Sequence, residues 1–269
     1  MHRPRAPRQR SAPPLRRLTP AFAFFATAAL ALGGASVGHS APPDHRFVLE
    51  FETGAVWQSR NSIHIPDSSA GTRFDLQSIQ GSGPEAHRRV ELTWHLSHRH
   101  AVRAVYAPLG FSGTGRFGTP VQFAGGTFAA GVAVDSTYQF DSYRLTYRYL
   151  LYESDRLRCQ VGATAFIRDA RVELRQQSTI ASDSNVGFVP LLSTSVAYAL
   201  APRWTLLLDV DGLAAPQGRA IDAAVKLRHD LTDRWFVSAG YRLFEGGVDN
   251  ERFAFGWYNF SVVSLGARF

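Results

Sequence analysis

From about residue 46 onward the chain alternates between apolar and polar positions in long stretches. In the first, Phe47, Leu49, Phe51, Ala55 and Trp57 share one face, and Glu50, Glu52, Gly54 and Gln58 share the other. Further on, Val90, Leu92, Trp94 and Leu96 alternate with Arg89, Glu91, Thr93 and His95. Tyr143, Leu145, Tyr147, Tyr149 and Leu151 do the same with Ser142, Arg144, Thr146 and Arg148. The last stretch sets Val263, Leu265, Ala267 and Phe269 against Ser264, Gly266 and Arg268. A period of two means strands with two unlike faces. A soluble sandwich shares that period, but its strands run to about five or six residues. Stretches of roughly ten to seventeen residues, with bulky apolar side chains on one face and charges on the other, suit a membrane barrel with a polar lumen.

Four short connections set the strand count. Ser97-His98-Arg99-His100, Ser154-Asp155-Arg156-Leu157, Ala201-Pro202-Arg203-Trp204 and Thr232-Asp233-Arg234-Trp235 each join two alternating stretches through an Arg-containing turn. They suit the short periplasmic turns of such a barrel, with the longer loops extracellular. With both termini periplasmic, four turns imply ten strands. These are expected near 46–58, 87–97, 101–112, 137–152, 156–174, 187–200, 204–213, 219–231, 235–245 and 253–269. The fold class is therefore all-β, a transmembrane antiparallel up-and-down barrel; eight strands remain if one pair is an extended loop hairpin. The tryptophans agree: Trp94, Trp204 and Trp235 fall beside the proposed turns, and Trp57 and Trp257 towards the opposite rim. Amphipathic rings favour both membrane interfaces.

The first forty residues differ from the rest. Arg3, Arg5, Arg8, Arg10, Arg16 and Arg17 come with no acid, followed by an apolar run from Ala21 to Leu32 and then Gly33-Gly34-Ala35-Ser36. This is the order of a signal peptide, with a run too short to span a bilayer as a helix. The expected division is a signal segment, 1–40, and a barrel domain, 41–269, with cleavage near Ser36 to Ser40. Arg16-Arg17 also fits twin-arginine export, but a barrel should travel unfolded, so ordinary charges ahead of the apolar core are the simpler reading. Without the leader the 29 basic and 22 acidic residues become 23 and 22, a net +1. The basic pI then gives no support for nucleic-acid binding. Cys159 stands alone and can form no internal disulfide.

The closing strand, with Val263, Leu265, Ala267 and a terminal Phe269, resembles that of the small bacterial outer-membrane β-barrel proteins. The resemblance implies localisation in the outer membrane of a Gram-negative envelope. It also implies that Phe269 is the signal read by the barrel-assembly machinery. Periplasmic chaperones, outer-membrane lipid and lipopolysaccharide are the expected partners.

If the apolar faces meet lipid, the lumen receives Glu50, Glu52, Arg89, Glu91, Arg103, Arg144, Arg148, Arg158, Arg168, Asp209, Asp211, Asp222, Lys226, Arg228, Arg242 and Arg268. Unpaired buried charge is costly, so a structural network filling the lumen is expected ahead of a narrow, porin-like anion path. Asp209 and Asp211 share one strand face and should approach the extracellular rim. Paired carboxylates there serve acid–base chemistry in the omptin proteases. Only His64 and His87 lie in nearby loops, without a recognisable motif, so salt bridges to Arg242 or Arg228 are the ordinary expectation. No histidine follows His229, which removes the lipid A deacylase pattern. His95, His98 and His100 cluster at one turn without a carboxylate or cysteine at ligand spacing, so no metal or cofactor is expected.

Loop one, about 59–86, is polar, with a strand-like Arg73-Phe74-Asp75-Leu76. Loop two, about 113–136, holds Val121, Phe123, Phe128, Val132 and Val134 among glycines. It is expected to pack down as a lid or to extend a hairpin, ahead of forming an exposed binding surface. The function expected overall is non-enzymatic, structural or with limited passage or binding. A surface hydrolase at the acidic rim and an adhesin or hydrophobic-ligand binder acting through the loops are the alternatives.

Overall fold

The computed structural model describes residues 45–269; the expected signal segment lies outside them. The elements are β1 (Phe47–His64), β2 (Phe74–Asp75), α1 (Gln77–Gln80), β3 (Glu85–His95), β4 (His100–Arg116), β5 (Val121–Phe123), β6 (Gly126–Phe128), β7 (Ala133–Glu153), β8 (Leu157–Gln176), β9 (Thr179–Ala201), β10 (Trp204–Ala215), β11 (Gly218–Asp230), β12 (Trp235–Asp249) and β13 (Phe253–Arg268). They make an eleven-stranded sheet that closes through β13 and β1. The two-residue β2 is a side branch on β1, so ten antiparallel strands form the wall. Ten, and not eight, is the count, because every extended loop segment lies outside the closed ladder.

Closure is complete at the terminal end. The amide of Phe47 donates to the Phe269 carbonyl at 2.8 Å, and the Phe269 amide returns a bond to Phe47 at 2.9 Å. Phe47 stacks with both Phe269 and Trp94 at ring separations of 6.0 Å. The four expected tight turns lie at this same end. Trp94 stands one residue before the end of β3, and Trp204 and Trp235 open β10 and β12. Trp257 lies far up the wall, where its indole N–H donates to Asn259 and Trp57 pairs across the seam.

Leu49, Phe51, Leu92, Tyr143, Leu145, Tyr147, Leu206, Leu208, Val263 and Leu265 all project outward and exposed. Arg89, Arg103, Arg144 and Arg242, on the other face of the same sheet, are almost completely buried. A soluble fold reverses that arrangement, and hydrocarbon around the belt accounts for it.

β9 begins eight residues ahead of its predicted range and β7 four ahead, while β8 ends two residues past its own. The segment 175–186, expected as a loop, is strand on both sides of a two-residue turn at Gln177 and Ser178. Here the alternation persists with its faces exchanged. Asp135, Thr137 and Gln139 of β7 point outward, as do Arg171, Glu173 and Arg175 of β8, while Val134, Tyr138, Val172 and Leu174 turn inward and are buried. The exchange falls between Tyr143 and Asp141 on β7 and between Ile167 and Asp169 on β8. It marks where the wall leaves lipid for water. Glu173, in the watery part, is held below the ordinary carboxylate range by hydrogen bonds from Arg171 and Arg175.

Loop two folds inward. Its hairpin, β5 and β6, buries Val121, Phe123 and Phe128 together with Phe117, Leu76 and Ile79. Loop two thus packs down, the arrangement expected ahead of an exposed binding surface: these side chains are the core of a plug that reaches from β4 across to β9, where Gly126 closely approaches Ala181. The short α1 lies directly on β4. A side chain at Gly113 would meet the Gln80 backbone at 2.7 Å, and one at Gly115 the Ile79 backbone at 2.7 Å. Replacing Gly113 by Leu is expected to lift α1 while leaving the ladder closed. Trypsin cleavage after Arg73 of the reconstituted protein should rise while heat-stable strand content stays the same; unchanged cleavage would show that the helix does not depend on this close approach.

Candidate functional site

The lumen is stacked in layers, because each strand delivers alternate residues inward at successive heights. Lowest, Arg268 donates to Asp230 at 2.6 Å and lies over the Phe236 ring at 4.9 Å. Arg228 shares Asp230 at 3.4 Å and donates to Thr205. Arg158 stands apart from the luminal network: it pairs with Glu153 at 3.0 Å beside the β7–β8 turn.

Above this comes a dense layer of charge. Arg242 bridges Glu52 at 3.1 Å and Asp222 at 2.7 Å. Arg144 reaches Asp222 at 2.6 Å, and Arg103 reaches Asp211 at 2.8 Å. Arg148 holds Asp209 at 2.7 Å, and Lys226 joins Glu50 at 2.6 Å and Glu52 at 3.1 Å. Arg89 and Arg103 flank Glu91 at 3.4 and 3.7 Å. Six carboxylates thus meet six cations, and His87 adds a contact from its Nε2 to Glu52 at 3.2 Å. Several pairs join strands on opposite sides of the barrel, as β4 meets β10 and β7 meets β11, so the layer spans the lumen.

That geometry corrects the reading of Asp209 and Asp211 as an acidic rim. Asp211 is 4% exposed and sits deep in the layer. Arg148 engages Asp209 and Arg103 engages Asp211, in place of the expected Arg242 or Arg228, and the strand β10 carries both carboxylates to mid-wall. His64 pairs with Asp67 at 2.5 Å in loop one, far along β1 from His87. The turn histidines also have separate partners, His98 with Glu153 at 2.8 Å and His100 with Tyr147 at 2.6 Å. Among the described residues, no three His, Cys, Asp or Glu side chains gather as a metal site.

Over the charge lies an aromatic layer of Tyr138, Phe140, Phe166, Phe244 and Tyr258, with ring separations of 5.4 to 6.4 Å. The Arg144 guanidinium sits under Phe166 at 4.6 Å, joining the two layers by a cation–π contact. Sequence reasoning missed this layer, although a signal was present. Tyr258 and Phe260 are bulky and apolar on the face that lower down carries Ser264 and Gly266.

Above the aromatic floor, beside the loop plug, a cavity of about 440 Å³ remains. Its walls include Ile63, Val172, Val189, Leu213, Ala220 and Ala254. Its polar groups are few. Arg252 is taken up by Asp183 at 3.2 Å. Arg168 donates to the neutral Asn185 at 2.7 Å, and among the described residues no carboxylate lies within salt-bridge distance of it. Gly187 makes room for this guanidinium, since a Cβ there would lie 3.0 Å from it.

No family model and no curated protein matches the chain. Among solved structures it is similar to the outer membrane protease OmpT from Escherichia coli (10% identity, 84% of this chain and 97% of that one, TM-score 0.45). It is also similar to the attachment invasion locus protein Ail of Yersinia pestis (9%, 83% and 99%, 0.37) and to the P. putida toluene transporter TodX (11%, 84% and 91%, 0.34). These likenesses concern architecture alone. The chain is a closed ten-stranded antiparallel barrel, and the membrane assignment follows from its apolar outside and charged inside.

Breaking one member of the charge layer leaves partners buried without counter-charge. Arg242→Met is expected to lower stability by about 3–5 kcal/mol in urea unfolding from lipid vesicles. Arg219→Met, which loses the exposed pair with Glu245 and the contact over the Phe255 ring, should cost less than about 1 kcal/mol. Equal effects would mean that the luminal pairs hold no more energy than surface ones.

Proposed function

We propose that the protein is a non-enzymatic, non-conducting outer-membrane barrel that binds a small, largely apolar molecule in its extracellular half. The observation carrying this reading is the cavity of about 440 Å³ between an aromatic floor and the water-facing mouth. Ligand sites of roughly 300–1,000 Å³ are mostly apolar, with a few placed polar groups. The wall here fits that description, with Phe140, Phe166 and Val189 beside Arg168 and Asn185. The charge layer beneath supports binding over passage. A molecule moving to the periplasm would have to separate ion pairs such as Arg103–Asp211 and Arg242–Asp222.

Export by a cleaved leader, insertion guided by Phe269 and a surrounding of lipopolysaccharide belong to the same proposal. The Phe47–Phe269 pairing supports a role for the last residue in closing the wall.

Planar-bilayer recording of the reconstituted protein should give no channel events. The fluorescence of a neutral naphthylamine probe should rise on binding, and Ala170→Trp, which fills the cavity from β8, should reduce its affinity at least about tenfold. Steady conductance, or undiminished probe binding by Ala170→Trp, would argue against this function.

A further inference from the structure

The cavity is not closed sideways. Pairing between β9 and β10 ends at Leu192 with Gly212, although β10 continues to Ala215 and β9 comes down from Thr179. Continuing that register would set Ala214 opposite Pro190, and no such pair forms. Proline has no N–H to give a ladder, and Pro190 stands where the ladder stops. The β10–β11 hairpin turns at Gln217, whereas β8 and β9 stay paired to Gln176 and Thr179. The wall therefore has a gap between β9 and β10.

The side chains at this gap place the cavity in contact with the outer surface. Pro190 and Phe188 project outward, in phase with Leu192, yet both line the same cavity as the inward-facing Val189, Leu213 and Ala215. Val186, Phe188 and Leu192 are 68%, 66% and 65% exposed, the most exposed large apolar residues among those described. Phe188 pairs with Ile167, the last apolar outward residue of β8 before Asp169 and Arg171. The gap thus stands at the boundary where the wall passes from lipid to water. Just inside it, Arg168 lies over Gly187 without an acidic partner.

Resting on the binding reading above, we propose that the ligand is a single-chain amphiphile with an anionic head, exchanged with the outer leaflet through the β9–β10 gap. The chain lies against Phe140, Phe166 and Val189, and Arg168 takes the head. Non-helical backbone at membrane depth is tolerated where it lines a cavity, which is the situation of the unpaired Pro190 edge.

The test uses the mature protein in phospholipid vesicles with a fluorescent polyene fatty acid and its methyl ester as probes. Leu192→Trp and Ala214→Trp each place a bulky ring at the gap, and Leu145→Trp, outward on β7, is the control away from it. Exchange of the acid between lipid and protein should slow about tenfold in both gap variants, with equilibrium affinity within about twofold, and stay unchanged in Leu145→Trp. Arg168→Gln should weaken the acid about tenfold and leave the methyl ester unaffected. Acid supplied on albumin in the outer water should reach the protein more slowly than acid preloaded in the bilayer. Faster uptake from albumin, or unslowed exchange in both gap variants with binding intact, overturns the lateral route and leaves the binding function standing. Equal weakening of acid and ester by Arg168→Gln overturns the anionic head. Absence of probe binding in the unaltered protein overturns the function itself.

Discussion

Hydrocarbon offers a backbone amide no partner, and every other feature of this barrel follows from that deprivation. The ladder must run round without an edge, so β13 returns to β1, and Phe47 at the start of β1 exchanges bonds with Phe269. Once the wall is closed, period-two alternation sends half of each strand inward. With the apolar half given to lipid, the lumen of a ten-stranded wall, too narrow to hydrate many free charges, is filled by what remains. Charges enclosed there must find opposite charges, which is why six carboxylates and six cations interlock at mid-wall.

Higher up the constraint relaxes, and the architecture changes with it. Where β7 and β8 stand in water, the polar side chains face outward and the apolar ones face in, as in a soluble protein. The same strands therefore obey two solvents in succession. An apolar interior becomes available only in this upper part, and the loop plug with its buried Phe123 and Phe128 fills one half of it. The aromatic layer is the join between the two regimes, tied downward by Arg144 and opening upward into the cavity.

Much of this was legible in the residues. Leu49 and Phe51 against Glu50 and Glu52 announce a strand with lipid on one side, and the Arg-containing turns give the count of ten. The segment 175–186 was not legible as strand, because Arg175, Ser182 and Ser184 occupy the outward positions that lower down carry lipid-facing residues. Reading polar outward residues as a loop follows naturally from expecting one polarity throughout. The depth of Asp209 and Asp211 depends on the stagger between β10 and its neighbours, and no single strand records a stagger. The cavity was hidden for the same reason: Pro190 and Gly212 are unremarkable until register shows that pairing stops beside them.

The distribution of the charge layer along the chain bears on how the barrel is built. Glu50 and Glu52 belong to the first strand, yet their cations, Lys226 and Arg242, come from β11 and β12, more than 170 residues later. Through most of assembly the earliest carboxylates have no counter-ion of their own. The layer is satisfied only when the closing strands dock, so a nascent sheet arrested short of closure holds its first acids in a state that favours water over lipid. Ionic completion and topological completion thus coincide, and a half-built wall is distinguished from a finished one by chemistry as well as by shape.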